Sequence, residues 1–412
     1  MIFDRALTRI RSETTPTSTM TLMDPAQWTT GLPLTTSASG AMKVAAVNAC
    51  VEIRSDSMGK LPMYVMDGVS KKHLNEHYLA YLLSVRPNEA MTPFVFKKLM
   101  ETYRLLWGNA YAAILRSPRN SVPIELIPLP ADYVTPFTAD DGALWYVYSD
   151  PQTGVRRKIR SWDLIHLKAY SEDGIRGVSV LTRASEIIDN ARAQQQFEGK
   201  FYTQNARPSG ILAVETADLN KDAKEKIRTE WNSIYAGVDN AFKIAVLDNG
   251  IKYQQISMSQ KDAQFVESKT VTIEDVARFF GVPLYKLQAG KQSYSSNEQN
   301  AIEYVVSGLH PAVSQNEEEY TYKLLFDSEI RRGLEVRINM NAELRGDMTA
   351  RGKWYTDMRN VGAYSVNDIL GFEDLPEVPG GDTRIAPLNS VPLEKLGEYF
   401  DKLIAQKGGT AK

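Results

Sequence analysis

From residue 277 the chain reads Ala277-Arg278-Phe279-Phe280-Gly281-Val282-Pro283, and the reading of this stretch decides the fold. Val266, Thr270, Ile273, Ala277 and Phe280 recur at spacings of four, three, four and three, a seam suited to neighbouring helices. The pattern predicts a helix from Lys261 to Phe280. Gly281 and Pro283 end it, because proline has no amide hydrogen and clashes with a preceding helical turn. A polar loop spans Leu284 to Ser296 and carries Lys286, Gln288, Lys291, Gln292, Ser293 and Tyr294. A long helix from Asn297 to Phe326 follows, with Ile302, Val305, Leu309, Val313, Tyr320 and Leu324 on its buried stripe. Pro311 lies inside it and predicts a kink near Gly308.

Outward from this centre, Leu181, Ala184, Ile188, Ala191 and Gln195 share one face of a helix ending near Asn205. Strands at Ile211–Val214 and Lys243–Leu247 bracket a charged helix, Lys221 to Tyr235, and a turn at Asp248-Asn249-Gly250 leads into a strand at Lys252–Ile256. Nearer the N-terminus, a helix over Met42–Met58 carries Val44, Val47, Val51 and Met58 on one stripe, and a strand follows at Leu61–Met66. Thr92 caps a helix that opens on Pro93 and runs to Leu106. Strands then fall at Ala110–Leu115, Glu125–Ile127, Leu144–Tyr148 (after an Asp141-Gly142 hairpin signal) and Leu164–Leu167. A strand at Leu334–Met340 and a helix at Asp347–Val361 close the ordered part. Residues 1–40 read as a flexible arm and residues 386–412 as a tail. The fold class is α+β.

Lys and Arg total 48 and Asp and Glu 50, a net charge of −2. Proteins that grip nucleic acid through phosphates carry a basic excess, so any DNA contact here is loose or confined to a local patch. A lone cysteine, Cys50, lies in an apolar helical stretch and reads as a buried small hydrophobe, without a disulfide framework. No apolar run is long enough to span a membrane, and the N-terminus lacks the apolar region of a signal peptide. A soluble protein made inside the cell is expected.

Two segments approach catalytic patterns. His73-Leu74-Asn75-Glu76-His77 fits H-x-x-E-H, which on a helix puts both histidines on one face to hold zinc with Glu76 as base. Leu79, Leu82 and Leu83 already supply a packing stripe there, no third acidic ligand can be assigned, and surface histidines are the simpler reading. Gly290-Lys291 is superficially like a phosphate-binding loop, but Tyr285 and Gln292 stand where glycine and Ser or Thr are required. His166 and His310 sit in apolar contexts and read as structural. No catalytic constellation, metal site or cofactor is expected.

The ordered landmarks resemble the portal family of HK97-like tailed phages. Val47–Val51 with Gly59-Lys60-Leu61-Pro62-Met63-Tyr64-Val65 is similar to the family's opening helix and strand. Leu82-Leu83, Arg86-Pro87-Asn88 and Met91-Thr92 match its "LL…RPN…MT" turn, and Gly108-Asn109-Ala110-Tyr111 its "GNAY" strand start. Ile165-His166-Leu167-Lys168, Gly174–Ser179, Arg207–Leu212, Ala277–Pro283, Tyr294–Gln299 and Leu309-His310-Pro311 follow in family order, so the matches cover about residues 44–385. One departure is Ser365-Val366-Asn367-Asp368-Ile369-Leu370, which lacks the arginine of the family's "T.NE.R".

The resemblance implies a ring, usually of twelve subunits, at one capsid vertex, through which a separate terminase pumps double-stranded DNA. It implies a wing over 41–180, joined by strands from the end of the chain, and stem helices over 181–205 and 261–283. A clip over 206–260 would meet the terminase large subunit and later the head-completion or adaptor proteins, with Lys221, Lys224, Glu225, Arg228 and Asp239 as contacts. Residues 284–296 would form the tunnel loop facing DNA, 297–346 the kinked helix and returning wing strand, and 347–385 the crown. Val266, Ile273, Ala277 and Phe280 would pack between subunits. The major capsid protein is a further partner, with the virion as location and the host cytoplasm during assembly. Outside this reading stand a zinc metalloprotease and a capsid structural protein that conducts no DNA.

Overall fold

The computed structural model describes residues 37–204, 210–214, 251–255, 273–288, 297–343, 348–373 and 375–385, with scattered positions between 222 and 229. The chain divides after Glu343 into two units. The arm up to residue 36, the strand expected at Lys243–Leu247 and the tail beyond 385 lie outside the described residues; the end of the expected arm is not loose but a short helix, Ala38–Ala41, capped by Ser37 and with Gly40 and Ala41 buried.

In the first unit, helix α1 (Ala45–Lys60) leads into strand β1 (Met63–Asp67). A short helix α2 (Tyr78–Ser84) precedes α3 (Pro93–Trp107). Thr92 caps α3 by accepting the Val95 amide at 3.4 Å, Pro93 occupies its first turn, and Gly108 closes it at φ 77°. Strands β2 (Asn109–Arg116), β3 (Pro123–Leu129) and β7 (Leu164–Lys168) form an antiparallel sheet in the order β3-β2-β7. A second sheet, β4-β5-β6, comprises Val134–Thr138, Leu144–Ser149 and Arg156–Arg160. Two of its strands, β4 and β6, carry no plain apolar alternation: one holds a proline and the other reads Arg-Arg-Lys-Ile-Arg. Neither is predicted from sequence.

The helix expected over 181–205 is interrupted: α4 (Val180–Arg183) gives way at Ala184 to α5 (Ser185–Gln204). Leu181, Ala184, Ile188 and Ala191 are all buried as the spacing requires, while Gln195 is exposed. Strands β8 (Gly210–Val214) and β9 (Ile251–Gln255) pair antiparallel. Residues 273–280 are helical, α6, and stop at Gly281.

The long helix is three pieces: α7 (Asn297–Glu303), a π-turn (Tyr304–Leu309) and α8 (His310–Leu324). Pro311 enters the first turn of α8, where a missing amide costs least, and the His310 amide reaches back to the Val305 carbonyl around the widened turn. The extra residue rotates the stripe. Tyr304, Val305, Leu309, Val313, Tyr320 and Leu324 are buried, but Ile302 is 39% exposed, against the expectation from a regular helix. Strand β10 (Leu334–Ile338) then returns to pair with β1, Val65 opposite Val336.

Among the described residues, three apolar clusters fill this unit. The largest joins α2, α3, β1, β2, α8 and β10 through residues such as Leu61, Val65, Leu83, Phe96, Ile114, Tyr320 and Val336. A second gathers Val47, Cys50, Leu105, Leu181, Ile188, Ala277 and Phe280, and a third lies between the two sheets around Tyr111, Tyr146 and Ile159. Burial pushes the Cys50 thiol up to about 12.

The second unit contains α9 (Met348–Asn360) and α10 (Val366–Phe372). Ser365 and Asp368 form a capping box, and Asn367 holds the following turn through Val378 and Asp382. Among its described residues several large apolar side chains are open to solvent: Trp354 is 51%, Val361 72% and Leu375 53% exposed.

Candidate functional site: the foot of a polar loop

The Gly281-Val282-Pro283 terminus is held from beneath by buried charge. Glu101 on α3 is 1% exposed and receives Arg54 Nε at 3.0 Å and Arg104 Nε and Nη2 at 2.7 and 2.6 Å. Arg54 also donates through Nη1 to the Phe280 carbonyl at 3.1 Å, capping α6 with a fixed cation. Burial raises the Glu101 pKa, but Arg104 and Arg54 outweigh it by charge and hydrogen bonding and hold the carboxyl below its usual range. Gly281 has φ 62°, and a side-chain carbon there would meet Arg54 Nη1 at 3.0 Å.

Past Pro283 the chain makes a single tight turn, Leu284–Leu287, ending at Gln288 with φ 53°. Lys286 points back into the protein. Its ammonium pairs with Glu343, which also accepts the Ser57 hydroxyl at 3.2 Å, and lies 4.2 Å from the Tyr304 ring centroid. The Tyr285 hydroxyl donates to the Asn300 carbonyl at 3.4 Å, and a carbon added at Gly308 would sit 3.1 Å from the Gly281 carbonyl. Residues 281–288 and 300–308, on either side of the polar loop, are therefore fastened to each other and to α1.

A second junction explains three of the sequence landmarks. The Asn109 side-chain oxygen accepts the Gly177 amide at 2.7 Å and faces His166 Nε2 at 2.9 Å, while its amide donates to the Gly177 carbonyl at 2.8 Å. His166 Nδ1 faces the Tyr146 hydroxyl at 3.1 Å. The imidazole is thus neutral, donating from Nε2 and accepting at Nδ1; burial, with Lys168 and Lys323 nearby, lowers its pKa to about 3. Gly108 and Gly177 approach so closely that a carbon on Gly177 would overlap the Gly108 carbonyl. Ser179 donates to the Leu106 carbonyl at 2.7 Å and caps α4 through the Leu181 amide at 2.9 Å.

The H-x-x-E-H segment is not helical. His73 bridges to Met66 and stacks on Tyr64 with ring centroids 3.8 Å apart. His77 caps α2 by accepting the Leu79 amide at Nδ1 and faces Glu329 from Nε2 at 3.1 Å, and Glu76 is exposed. The zinc reading is overturned: these side chains do not share a helical face, and among the described residues no group of His, Cys, Asp or Glu is placed to hold a metal. His310 is exposed, not packed as expected.

Of the other expected site residues, Ala277 and Phe280 lie in the chain's own second core, and Ile273 is half-buried. Glu225 is exposed on a helical position. Val266, Lys221, Lys224, Arg228, Asp239, Lys291, Gln292, Ser293 and Tyr294 lie outside the described residues. The Arg54–Glu101–Arg104 cluster has no counterpart in the sequence reading. Its one sequence signal was the presence of charges on α1 and α3 at positions facing apolar neighbours.

Among the described residues, no helix is long and apolar enough to cross a membrane. The arrangement has solved counterparts. A HK97-family phage portal protein from Corynebacterium diphtheriae matches with a TM-score of 0.55 and 17% identity over 76% of this chain and 99% of that one. A chain in the neck of an empty gene transfer agent particle matches with a TM-score of 0.60 and 20% identity, covering 83% and 94%. The fold is that of the HK97-type portals. The portal protein of Enterobacteria phage HK97 is 25% identical over 364 residues, 86% of this chain and 84% of its own. The probable portal protein of Streptomyces phage phiC31 is 27% identical over 375 residues, 87% and 80%. The chain belongs to the phage portal protein family, whose pattern spans residues 45–374. Membership of that family gives it a portal-vertex role.

Proposed function

We propose that this chain is one of twelve subunits in a closed ring whose channel carries double-stranded DNA during packaging and ejection, without chemistry of its own. The ring would dock the terminase large subunit, then head-completion proteins, and sit within the major capsid protein shell after assembly in the host cytoplasm. The observation that carries the reading is the foot. Both ends of the polar loop are tied to buried charge and to each other, so residues 289–296 start from a fixed base, as a part that touches moving DNA requires. The lysine nearest that base, Lys286, is paired with Glu343, which leaves Lys291 and Tyr294 as the loop's DNA-facing candidates. Twelvefold symmetry was used for the neck of a native gene transfer agent particle whose chain matches this one with a TM-score of 0.56. The exposed apolar side chains of 348–385 suit a crown completed by neighbouring copies.

Native mass spectrometry and electron microscopy of the purified chain test the ring, with closed dodecamers expected. Replacing residues 289–294 by a Gly/Ser linker, with Lys286–Glu343 kept, should leave rings intact and impair packaging. Normal packaging by such rings would remove the tunnel-loop role, and a monomer at micromolar concentration would remove the ring.

A further inference from the structure

The β4-β5-β6 sheet has two unlike faces. Its inner face, with Val134, Tyr146, Tyr148 and Ile159, belongs to the third core. The outer face follows from the register. Trp145 lies opposite Arg160, Val147 opposite Lys158 and Ser149 opposite Arg156, while Phe137 and Thr135 pair with Trp145 and Val147 from the other side. Directly opposed residues share a face. An open sheet surface therefore carries a half-buried apolar strip, Phe137, Trp145 and Val147, beside a row of three exposed cations on the edge strand β6. No acidic side chain lies among these eight positions, and Arg156 and Lys158 form no ion pair with any described residue.

We propose that this face is a binding surface for the phosphodiester backbone of duplex nucleic acid, separate from the polar loop. Alternate residues of a strand are about 6.6–6.8 Å apart, so Arg156, Lys158 and Arg160 form a straight row of charge about 13 Å long. A duplex carries one negative charge per about 1.7 Å of its axis, so such a row meets phosphates whatever the sequence. The cations lie on a sheet edge and not on a helix or ribbon shaped to enter a groove, and the apolar strip beside them is half-covered, which suits sugar and backbone contact without sequence choice. Edge lysines and arginines also keep sheets from pairing, but that role does not call for a row of cations beside half-buried aromatics on the same face. A chain with net charge −2 has no general basic field, so any phosphate contact has to be local. The choice of duplex DNA as partner draws on the portal reading, but the surface itself does not depend on the ring or on the loop.

The test is the salt dependence of binding to a random-sequence duplex, measured by fluorescence anisotropy on assembled protein. Three phosphate contacts give a slope of about −2.7 for log K against log salt, or about a 40-fold loss between 50 and 200 mM. Arg156→Gln/Lys158→Gln/Arg160→Gln should lower the slope by that amount. Arg160 has other contacts, so Arg156→Gln/Lys158→Gln is measured too, with a decrease of about 1.8 expected. Oligomeric state and thermal midpoint serve as folding controls. Loop replacement at 289–294 should leave this component of the slope in place, which separates failure of the loop role from failure of this one. An unchanged slope in the double variant overturns the proposal. Equal charge-dependent binding to poly-glutamate overturns it in favour of an acidic protein partner.

Discussion

Replacing Glu101 by glutamine removes one charge from the centre of the frame and leaves two guanidinium groups without it. The carboxylate accepts three hydrogen bonds, from Arg54 at 3.0 Å and Arg104 at 2.7 and 2.6 Å, on a side chain 1% exposed. A glutamine oxygen can keep part of this set, and its amide has to face a cation. Breaking a buried pair from one side costs about 3–5 kcal/mol, because the remaining charge is left in a medium that cannot solvate it. For a protein of this size that corresponds to a fall in melting temperature of roughly 3–6 °C. Calorimetry on the wild type and Glu101→Gln reads it directly. The companion variant Arg54→Met/Glu101→Leu/Arg104→Met removes the whole cluster and should lose less than the single change, apart from the Phe280 carbonyl it uncaps. The pH profile gives a second check. The folded pKa of Glu101 is depressed, so its contribution is complete above the unfolded value of about 4.3 and is lost as pH falls through the folded value. The stability difference between wild type and Glu101→Gln should shrink in that acid range. A difference below about 1 kcal/mol at neutral pH, or a triple variant weaker than the single one, refutes the reasoning.

Three further outcomes follow from packing and burial. Gly177→Ala should cost more than about 3 kcal/mol in denaturant titration, since the added carbon overlaps the Gly108 carbonyl, whereas Gly142→Ala, at φ 80° with open space around it, should cost about 1–2. Burial lowers the Lys97 pKa to about 8, so the folded protein carries an unfavourable charge below that pH, and wild type should gain about 2–3 kcal/mol relative to Lys97→Met between pH 8 and 10.5. Cys50, buried and pushed up to about 12, should react with a thiol reagent only at the rate of unfolding, and faster labelling would show that α1 opens locally.

Much of the scaffold is legible in sequence because its signals are local. Thr92-Pro93 fixes the start of α3, Asp141-Gly142 the hairpin between β4 and β5, and Gly281-Pro283 the end of α6. What escaped depends on residues far apart. Strand β6 is held by pairing with β5 and not by its own Arg-Arg-Lys-Ile-Arg pattern, which reads as solvated chain. The exposure of Ile302 follows from a π-turn that proline chemistry allows but that no spacing rule announces. At the site, the loop is visible as a polar gap between two helices, yet its foot is not. Lys286 reads as one more loop lysine until Glu343, 57 positions on, is placed beside it.

The same displacement governs how the net charge of −2 is to be read. Composition weighs every cation alike, but the folded chain sorts them by partner. Arg54 and Arg104 neutralise Glu101, Lys286 neutralises Glu343, Arg116 faces Asp163 at 3.1 Å, and Lys97 and Lys323 are bound to the Leu61 and Ser161 carbonyls. These charges fasten α1, α3, α8 and the loop foot together and offer nothing to a polyanion. Arg156 and Lys158 stand apart from all of them, exposed on one face of one sheet edge. A chain can thus be neutral in sum and still present a local row of cations, because several of its other cations are internally paired. The affinity of DNA for that row should then follow the two or three charges on β6 and be indifferent to changes elsewhere in the total, which substitutions of exposed lysines on other elements would check.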